Sequence, residues 1–286
     1  MRRLVFFSVL IILYIALINP LAAYMQRKPF AEKLGYVPRP EVLKFISADQ
    51  KQAVAASLVM NVLLYYGDLV EKEANKVVIP PDYYGMYRTI QTAVTVDPYN
   101  MDAYYFAQAI LVWDLKRIKE ANQLLEHGMK YRKWDFYLPF FAGFNYAYFL
   151  KDYTTAARYY KRAGELTGNE LHINLAGRYM YESGKTDLAI AYLSTMEKRA
   201  RNDAVKKSFA RRLKAFKEVR RIEIARDRFQ EKNSVMPEDV QSLVKDGYLS
   251  PPPVDPYGGS FYIDDRGQVR STSKFASGSD KKVQNQ

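Results

Sequence analysis

The fold of this chain is decided by residues 136–163, FYLPFFAGFNYAYFLKDYTTAARYYKRA, which contain two apolar stretches separated by a short polar break. In each stretch, apolar side chains recur three or four residues apart, which is the spacing of one helix face. These side chains are Phe140, Phe141, Phe144 and Tyr148 in the first stretch and Ala156, Ala157, Tyr160 and Ala163 in the second. The stretch therefore predicts two consecutive helices, each with a face that must be buried against a neighbour.

The same two-helix unit recurs along the chain at a period near 34 residues. Ala93, 35 residues before Gly128, adds the helix that ends before Pro98 to this series. Three sets of aligned positions carry the period: Ala121, Ala156 and Ala189; Leu125, Tyr160 and Leu193; Gly128, Ala163 and Met196. Two helices per unit at this period are the pattern of tetratricopeptide repeats.

Residues 83–199 therefore resemble a tetratricopeptide repeat (TPR) array. KDYTTAARYYKRA at 151–163 and GKTDLAIAYLSTM at 184–196 resemble the turn and second helix of that repeat. Gly143 and Gly177 stand near its small-residue position, where close helix crossing excludes a bulky side chain. The resemblance implies an all-α, TPR-like helical superhelix in which neighbouring units stack and the ends are capped.

The resemblance also implies a concave face lined by the first helix of each unit. Aromatic side chains with one cation in such a groove suit an extended peptide or a partner helix. The alternative is that the same side chains pack against neighbouring helices or against residues 68–82. The groove residues are Phe106, Ile110, Trp113, Tyr146, Phe149, Asn174, Arg178 and Tyr181.

The N-terminal region 1–25 is predicted to be a transmembrane anchor, because residues 4–25 carry no charge and about twenty apolar residues cross a bilayer. A cleaved signal peptide is the alternative, since two arginines before an apolar core are typical of both. Positive residues are more numerous after this span than before it, which would place the body inside. However, long domains translocate largely regardless of charge, so we expect a single-pass bacterial inner-membrane protein with its soluble body in the periplasm.

The regions that follow the anchor differ in composition. Residues 26–47 contain three prolines and predict an extended neck, and 48–200 form the repeat region. Within the repeat region we expect a helix from about 48 to 67, interrupted over 68–82 by mixed charge and paired prolines.

Residues 203–232 predict a long helix whose apolar stripe closes the last repeat and whose other faces are basic. The net charge of the chain is +12, which is compatible with a solvated outer face or with a surface for anionic lipid or an acidic partner. We expect no nucleic-acid binding, because no nucleic-acid-binding motif accompanies the charge. The candidate basic surface consists of Lys207, Arg211, Arg212, Lys214, Arg220 and Arg221.

Residues 233–275 predict a small α+β appendage with a short helix and a β-hairpin around the turn at 264–267. This segment contains Gly247, Tyr248, Leu249, Asp255, Pro256, Tyr257, Gly258 and Tyr262. With these residues it resembles the C-terminal part of type II secretion pseudopilins, although no Gly-Phe-Thr-Leu-Ile-Glu methylation motif precedes the apolar span. Calcium binding by Asp255, Asp264 and Asp265 is the alternative to turn formation, which we favour. Residues 276–286 are predicted to be disordered.

The sequence contains no recognisable catalytic or metal-binding motif. It has no cysteine, and its two histidines, His127 and His172, lack metal-ligand spacing. We therefore expect no enzyme activity, no cofactor and no metal, and we predict a membrane-anchored scaffold that binds protein partners in the bacterial envelope.

The pseudopilin resemblance suggests a pilus, secretion or polysaccharide export system. The alternative is a basic module that binds anionic lipid or polysaccharide without a peptide groove, and its binding would weaken steeply with salt.

Overall fold

The structure, a computed structural model, describes residues 2–27 and 33–275. In these residues the chain is predominantly helical, with a single two-stranded sheet near the C-terminus. The chain divides into two compact units, Met1–Ala107 (unit 1) and Gln108–Gln286 (unit 2). The predicted tail at 276–286 and residues 28–32 of the predicted neck lie outside the described residues.

The first helices of the chain differ from the prediction at two places. Pro40–Ile46 is a helix, although the prolines of the neck predicted extended chain, because proline is tolerated in the first helical turn. The helix that begins at Lys51 continues to Ala74 instead of stopping near residue 67, because Leu69 extends its buried face. The charged residues after 67, which predicted an interruption, include an ion pair one helical turn apart. Lys72 Nζ lies 2.6 Å from Asp68 Oδ2. The helices are α1 (Arg2–Arg27), α2 (Pro40–Ile46), α3 (Lys51–Ala74), α4 (Tyr83–Val96) and α5 (Met101–Ala109).

Among the residues whose side chains the structure describes, one helix, α3, is long and apolar enough to cross a membrane. Its mean hydropathy is 1.6. It also packs against α4 through a buried face at Ala55, Val59, Val62 and Leu69. In α1, the stretch Leu10–Ala22 is apolar, and its large side chains are exposed. Helices α1 and α3 thus both have apolar surface open to a membrane or a partner.

Unit 2 consists of helices that pack against their neighbours in chain order. It begins with a π-helical turn at Ile110–Asp114 and ends with a hairpin whose strands pair antiparallel, as predicted. The core joins α7–α11 to the appendage through buried side chains such as Phe209, Phe216 and Leu243. The elements are α6 (Ile118–Tyr131), α7 (Tyr137–Tyr148), α8 (Tyr153–Thr167), α9 (Glu170–Glu182), α10 (Thr186–Arg199), α11 (Asp203–Asn233), α12 (Val240–Lys245), β1 (Phe261–Ile263) and β2 (Val269–Ser271).

Two glycines allow the helices of successive pairs to approach closely. A Cβ atom at Gly143 on α7 would lie 3.1 Å from the ring of Tyr160 on α8. A Cβ atom at Gly177 on α9 would lie 3.1 Å from Leu193 Cδ1 on α10. The same contact therefore recurs one period apart, at the small-residue positions that the sequence predicted.

Candidate functional site

Four aromatic side chains form a partly exposed cluster on unit 2, which we call the aromatic patch: Trp113, Phe144, Tyr148 and Phe149. The centre of the Trp113 ring system lies 5.4 Å from the Phe149 ring and 5.8 Å from the Phe144 ring. Phe144 and Tyr148, one helical turn apart on α7, stack at 5.4 Å. Trp113 is 48% exposed and Tyr148 56% exposed. Lys151 Nζ lies 5.2 Å from the Tyr148 ring centre, so a cation borders the patch.

The π-helical turn determines where Trp113 lies. Leu115 donates its backbone N–H to the Ile110 carbonyl at 3.0 Å, one residue further than an α-helical bond reaches. Lys116 then adopts a φ of 54°, which ends the helix, and its Nζ donates to the Trp113 carbonyl. Such turns are rare and occur frequently at functional sites. Sequence periodicity identified Trp113 but could not predict this turn, because it assumes 3.6 residues per turn throughout.

A buried network of three amides supports the patch from beneath. Asn145, fully buried between two patch residues of α7, exchanges two hydrogen bonds with Gln108 at 2.8 and 2.9 Å. Asn145 Nδ2 also donates to Asn122 Oδ1 on α6 at 2.7 Å. The network joins three helical segments, and Gln108 immediately precedes the π-helical region. Because buried amides have strict directional requirements, it fixes the π turn relative to α7.

Tyr146, predicted to line the groove, makes contacts outside the patch. Its ring stacks on Tyr159 at 5.6 Å, and both hydroxyls donate to Glu126 Oε1, at 3.4 Å from Tyr146 and 2.6 Å from Tyr159. Burial, followed by the Glu126 carboxylate, raises the pKa of Tyr146. Burial and the hydrogen bond to Glu126 also raise the pKa of Tyr159. Both tyrosines are therefore hydrogen-bond donors at neutral pH, and they join α6, α7 and α8.

The predicted groove is closed at its C-terminal end. Tyr181 is 6% exposed, donates its hydroxyl to the Val269 carbonyl of β2, and packs against Phe216 and Phe275. Asn174 is half-buried next to α11, where Arg212 donates to its carbonyl at 3.5 Å. The prediction that Tyr181 and Asn174 line an open groove is therefore corrected: α11 and the hairpin cover this face. The repeat register could not predict this cover, because it describes only the repeats themselves.

The other predicted groove residues are scattered. Arg178 is exposed and lies 3.9 Å from Glu182. Ile110 is half-buried in the π turn. Phe106 belongs to unit 1, where its ring contacts Tyr66 edge-on at 6.3 Å. Of the eight predicted residues, the structure brings Trp113 and Phe149 together, and it adds Phe144 and Tyr148, which the repeat register did not assign to the groove.

The arginines of the predicted basic surface mostly hold the appendage in place. Arg212 donates to the Phe275 carbonyl at 2.8 Å, and Arg221 donates to the Pro251 carbonyl at 2.9 Å. Arg220 is paired with Asp187 and Glu223, and Arg211 lies 5.7 Å from the Tyr257 ring centre. The multiple donors of a guanidinium suit such bridging.

The lysines of α11 behave differently. Lys206, Lys207, Lys214 and Lys217 are exposed, and they form no hydrogen bond or ion pair with other described residues. Of the predicted basic surface, Lys207, Lys214 and Arg211 are therefore exposed, and the lysines Lys206 and Lys217 extend this exposed charge.

The acidic residues of the appendage accept hydrogen bonds that stabilise turns of the backbone. Asp264 accepts the backbone N–H groups of Arg266 and Gln268 at 3.0 and 2.8 Å, which closes the hairpin turn. Asp255 accepts hydroxyls from Ser271 and Ser273. Among the described residues, no group of three or more acidic or histidine side chains could hold a metal ion.

The chain matches no protein-family model, and no curated protein matches it in sequence. A functional assignment must therefore come from the patch, the helices and the charges themselves.

Proposed function

We propose that this protein is a membrane-anchored scaffold in which a TPR-like superhelix binds a protein partner through the aromatic patch. The observation that carries the proposal is the half-exposed pair Trp113 and Tyr148, held at the surface by contacts with Phe144 and Phe149. Exposed clusters of large apolar side chains mark interaction sites, and tryptophan and tyrosine dominate binding energy at protein interfaces.

The surroundings of the patch favour a particular partner chemistry. Asn145 fixes α7, which carries Phe144 and Tyr148 and has Phe149 as its C-cap. Lys151 at the edge of the patch would attract an acidic side chain. We therefore infer an apolar helix or extended peptide that presents an aliphatic or aromatic anchor next to an acidic residue.

Two observations support a TPR-like superhelix over another arrangement of helices. Helices α6 to α11 pack in chain order, each against the next. The glycine contacts at Gly143 and Gly177 recur 34 residues apart, as expected when one packing unit is repeated.

The proposed anchor is α1, at residues 4–25. Helix α3 also has the required length and hydropathy, but it carries four charged residues between Asp68 and Glu73 and buries one face against α4. Residues 4–25 carry no charge. Removing charges from water into lipid is costly, so α1 is the better span.

The partner-binding proposal can be tested by photo-crosslinking in cells. A photo-crosslinking phenylalanine analogue at Tyr148 is expected to capture one dominant polypeptide, whose contact segment is identified by mass spectrometry. Trp113→Ala in the same chain should abolish that product, since loss of a central tryptophan costs about 2 kcal/mol or more, roughly thirtyfold in affinity.

The matched control uses the other tryptophan of the chain. Trp134 is 62% exposed, and Trp134→Ala should leave the crosslink from Tyr148 intact. If the two tryptophan variants reduce crosslinking equally, or if the product persists without Trp113, the aromatic patch is not the binding site.

The proposed envelope location is tested with single-cysteine variants, which need no background change because the chain has no cysteine. Val254→Cys, at a site 65% exposed, should react with a membrane-impermeant maleimide once the outer membrane is permeable. Labelling only after lysis of the inner membrane would place the body in the cytoplasm. The mass of the labelled chain distinguishes a retained anchor from a cleaved signal peptide.

The proposal of a role in pilus, secretion or polysaccharide export follows only from the resemblance of the appendage and depends on this outcome.

A second candidate function uses the four open lysines of α11. Their uncompensated charge favours binding of anionic lipid or polysaccharide. Lys207→Gln with Lys214→Gln should then reduce binding to anionic vesicles or an acidic polysaccharide, and added salt should weaken it steeply. Binding through the aromatic patch should not change in this variant, and it should weaken much less with salt because most of its contacts are apolar.

A further inference from the structure

Helix α2 presents its apolar side chains outward. Val42 is 50% exposed, Phe45 86% and Ile46 65%, whereas Leu43 is the buried residue of this helix. The three exposed side chains are spaced i, i+3 and i+4, so they share one face. Exposure of an entire apolar helix face to water is unfavourable, by about 25 cal/mol per Å² of apolar surface.

From Arg27 to Lys51 the sequence contains six basic residues and three acidic ones, Glu32, Glu41 and Asp49. Lys33 and Arg39 precede the helix and Lys44 lies within it, whereas Glu41 is its one acidic residue. Lys44 lies on the side of the helix away from Phe45, as the helical rotation of 100° per residue requires. Helices that lie in a membrane interface combine an apolar face with basic side chains that reach anionic headgroups.

The chain also limits how far α2 can be from the anchor. Twelve residues, 28–39, separate the end of α1 from the start of α2. Fully extended, this linker spans at most about 45 Å, and any shorter path brings α2 closer. If α1 crosses the bilayer, α2 is thus within reach of the membrane surface.

We propose that α2 lies on the bilayer surface, with Val42, Phe45 and Ile46 inserted among the lipids and with Lys33 and Arg39 bound to anionic headgroups. This inference rests on the proposed membrane anchoring by α1. It deepens that proposal, because a surface helix would tie α3 and α4, which pack against α2, to the plane of the membrane. The competing occupant of the same face is a second copy of the chain.

The test uses spin labels on single cysteines of the full-length protein, reconstituted in vesicles of phosphatidylcholine with phosphatidylglycerol. A label at Phe45→Cys is expected to collide more with oxygen than with a water-soluble nickel complex, at a depth of about 5–10 Å. The matched control, Lys44→Cys on the same helix, should show the opposite preference. Replacing the phosphatidylglycerol with phosphatidylcholine should reduce the depth at residue 45.

The remaining outcomes separate this inference from the anchor proposal. A label at Leu13→Cys in α1 must be immersed in the bilayer, and its exposure to the nickel complex would overturn the anchor. Immersion at residue 13 together with aqueous exposure at residue 45 would overturn the inference alone. Dipolar broadening between labels at residue 45, without oxygen preference, would also overturn it and assign the face to a second copy. Folding of each variant is checked by its far-ultraviolet circular dichroism.

Discussion

Substitution of Asn145 by alanine is expected to destabilise unit 2 strongly. Asn145 is fully buried and makes three hydrogen bonds of 2.7–2.9 Å, two with Gln108 and one with Asn122. Asn145→Ala removes these bonds and leaves polar atoms of two buried amides without partners. Each orphaned group costs about 1–3 kcal/mol, so we expect a loss of about 3–4 kcal/mol in the free energy of unfolding.

The assay can isolate unit 2, because both tryptophans of the chain, Trp113 and Trp134, lie in it. Urea unfolding in mild detergent, followed by tryptophan fluorescence, therefore reports on this unit. The loss should appear as a lower midpoint with an unchanged slope.

A triple variant supplies a stringent control. Gln108→Met, Asn122→Leu and Asn145→Leu together replace all three amides by apolar groups of similar volume, which removes the orphaned atoms. We expect this triple variant to be more stable than Asn145→Ala alone. A loss below about 1 kcal/mol for Asn145→Ala, or a triple variant at least as unstable as the sum of its single changes, would refute the proposed role of the network.

Three further predictions concern the packing and titration of unit 2. Gly143→Val should cost about 1–3 kcal/mol by tryptophan-detected unfolding, because its side chain would overlap the Tyr160 ring. Burial lowers the pKa of His172, so the folded state favours the neutral ring. The stability that this provides is present above about pH 6.5 and is lost as the pH falls, and His172→Gln should flatten unfolding profiles between pH 7.5 and 5. Arg270→Met should accelerate hydrogen exchange in β1 and β2, since it removes the ion pair that joins the hairpin to Glu182 on α9, worth about 1–2 kcal/mol.

These predictions have their own controls. The pH profile of the His172→Gln variant is compared with that of the wild-type chain over the same range. Exchange in α6 should not change in the Arg270→Met variant, because the hairpin packs against α9, α11 and α12. An unchanged pH profile in the His172→Gln variant would contradict the assignment to His172.

Local spacing was sufficient to predict the helix pairs and the hairpin. The apolar positions of α7 and α8 and the alternating residues around Asp264 each depend on neighbours in sequence. The π turn at Trp113 could not be predicted from the sequence, because one added residue in a helical turn does not change the types of residue present. The continuation of α3 was missed because charges that pair along a helix resemble those of a loop.

The site was harder to predict than the fold, because its limits depend on distant contacts. Tyr181 has the register of a groove residue, but β2, 88 residues later, supplies the carbonyl that its hydroxyl binds. Arg212 and Arg221 were predicted as open charge, yet their partners are carbonyls of residues 275 and 251. Neither pairing has a sequence signal, since any residue offers a backbone carbonyl.

The appendage covers apolar surface that proteolysis would expose. Proteolytic cleavage just after α11 would remove β2 and Phe275 and uncover the rings of Tyr181 and Phe216 on an otherwise folded body. A clipped molecule of this kind would have a fresh apolar end surface, suited to stacking on another clipped copy. Residues 234–275 thus cover the end of the helical stack and shield its apolar surface from other molecules.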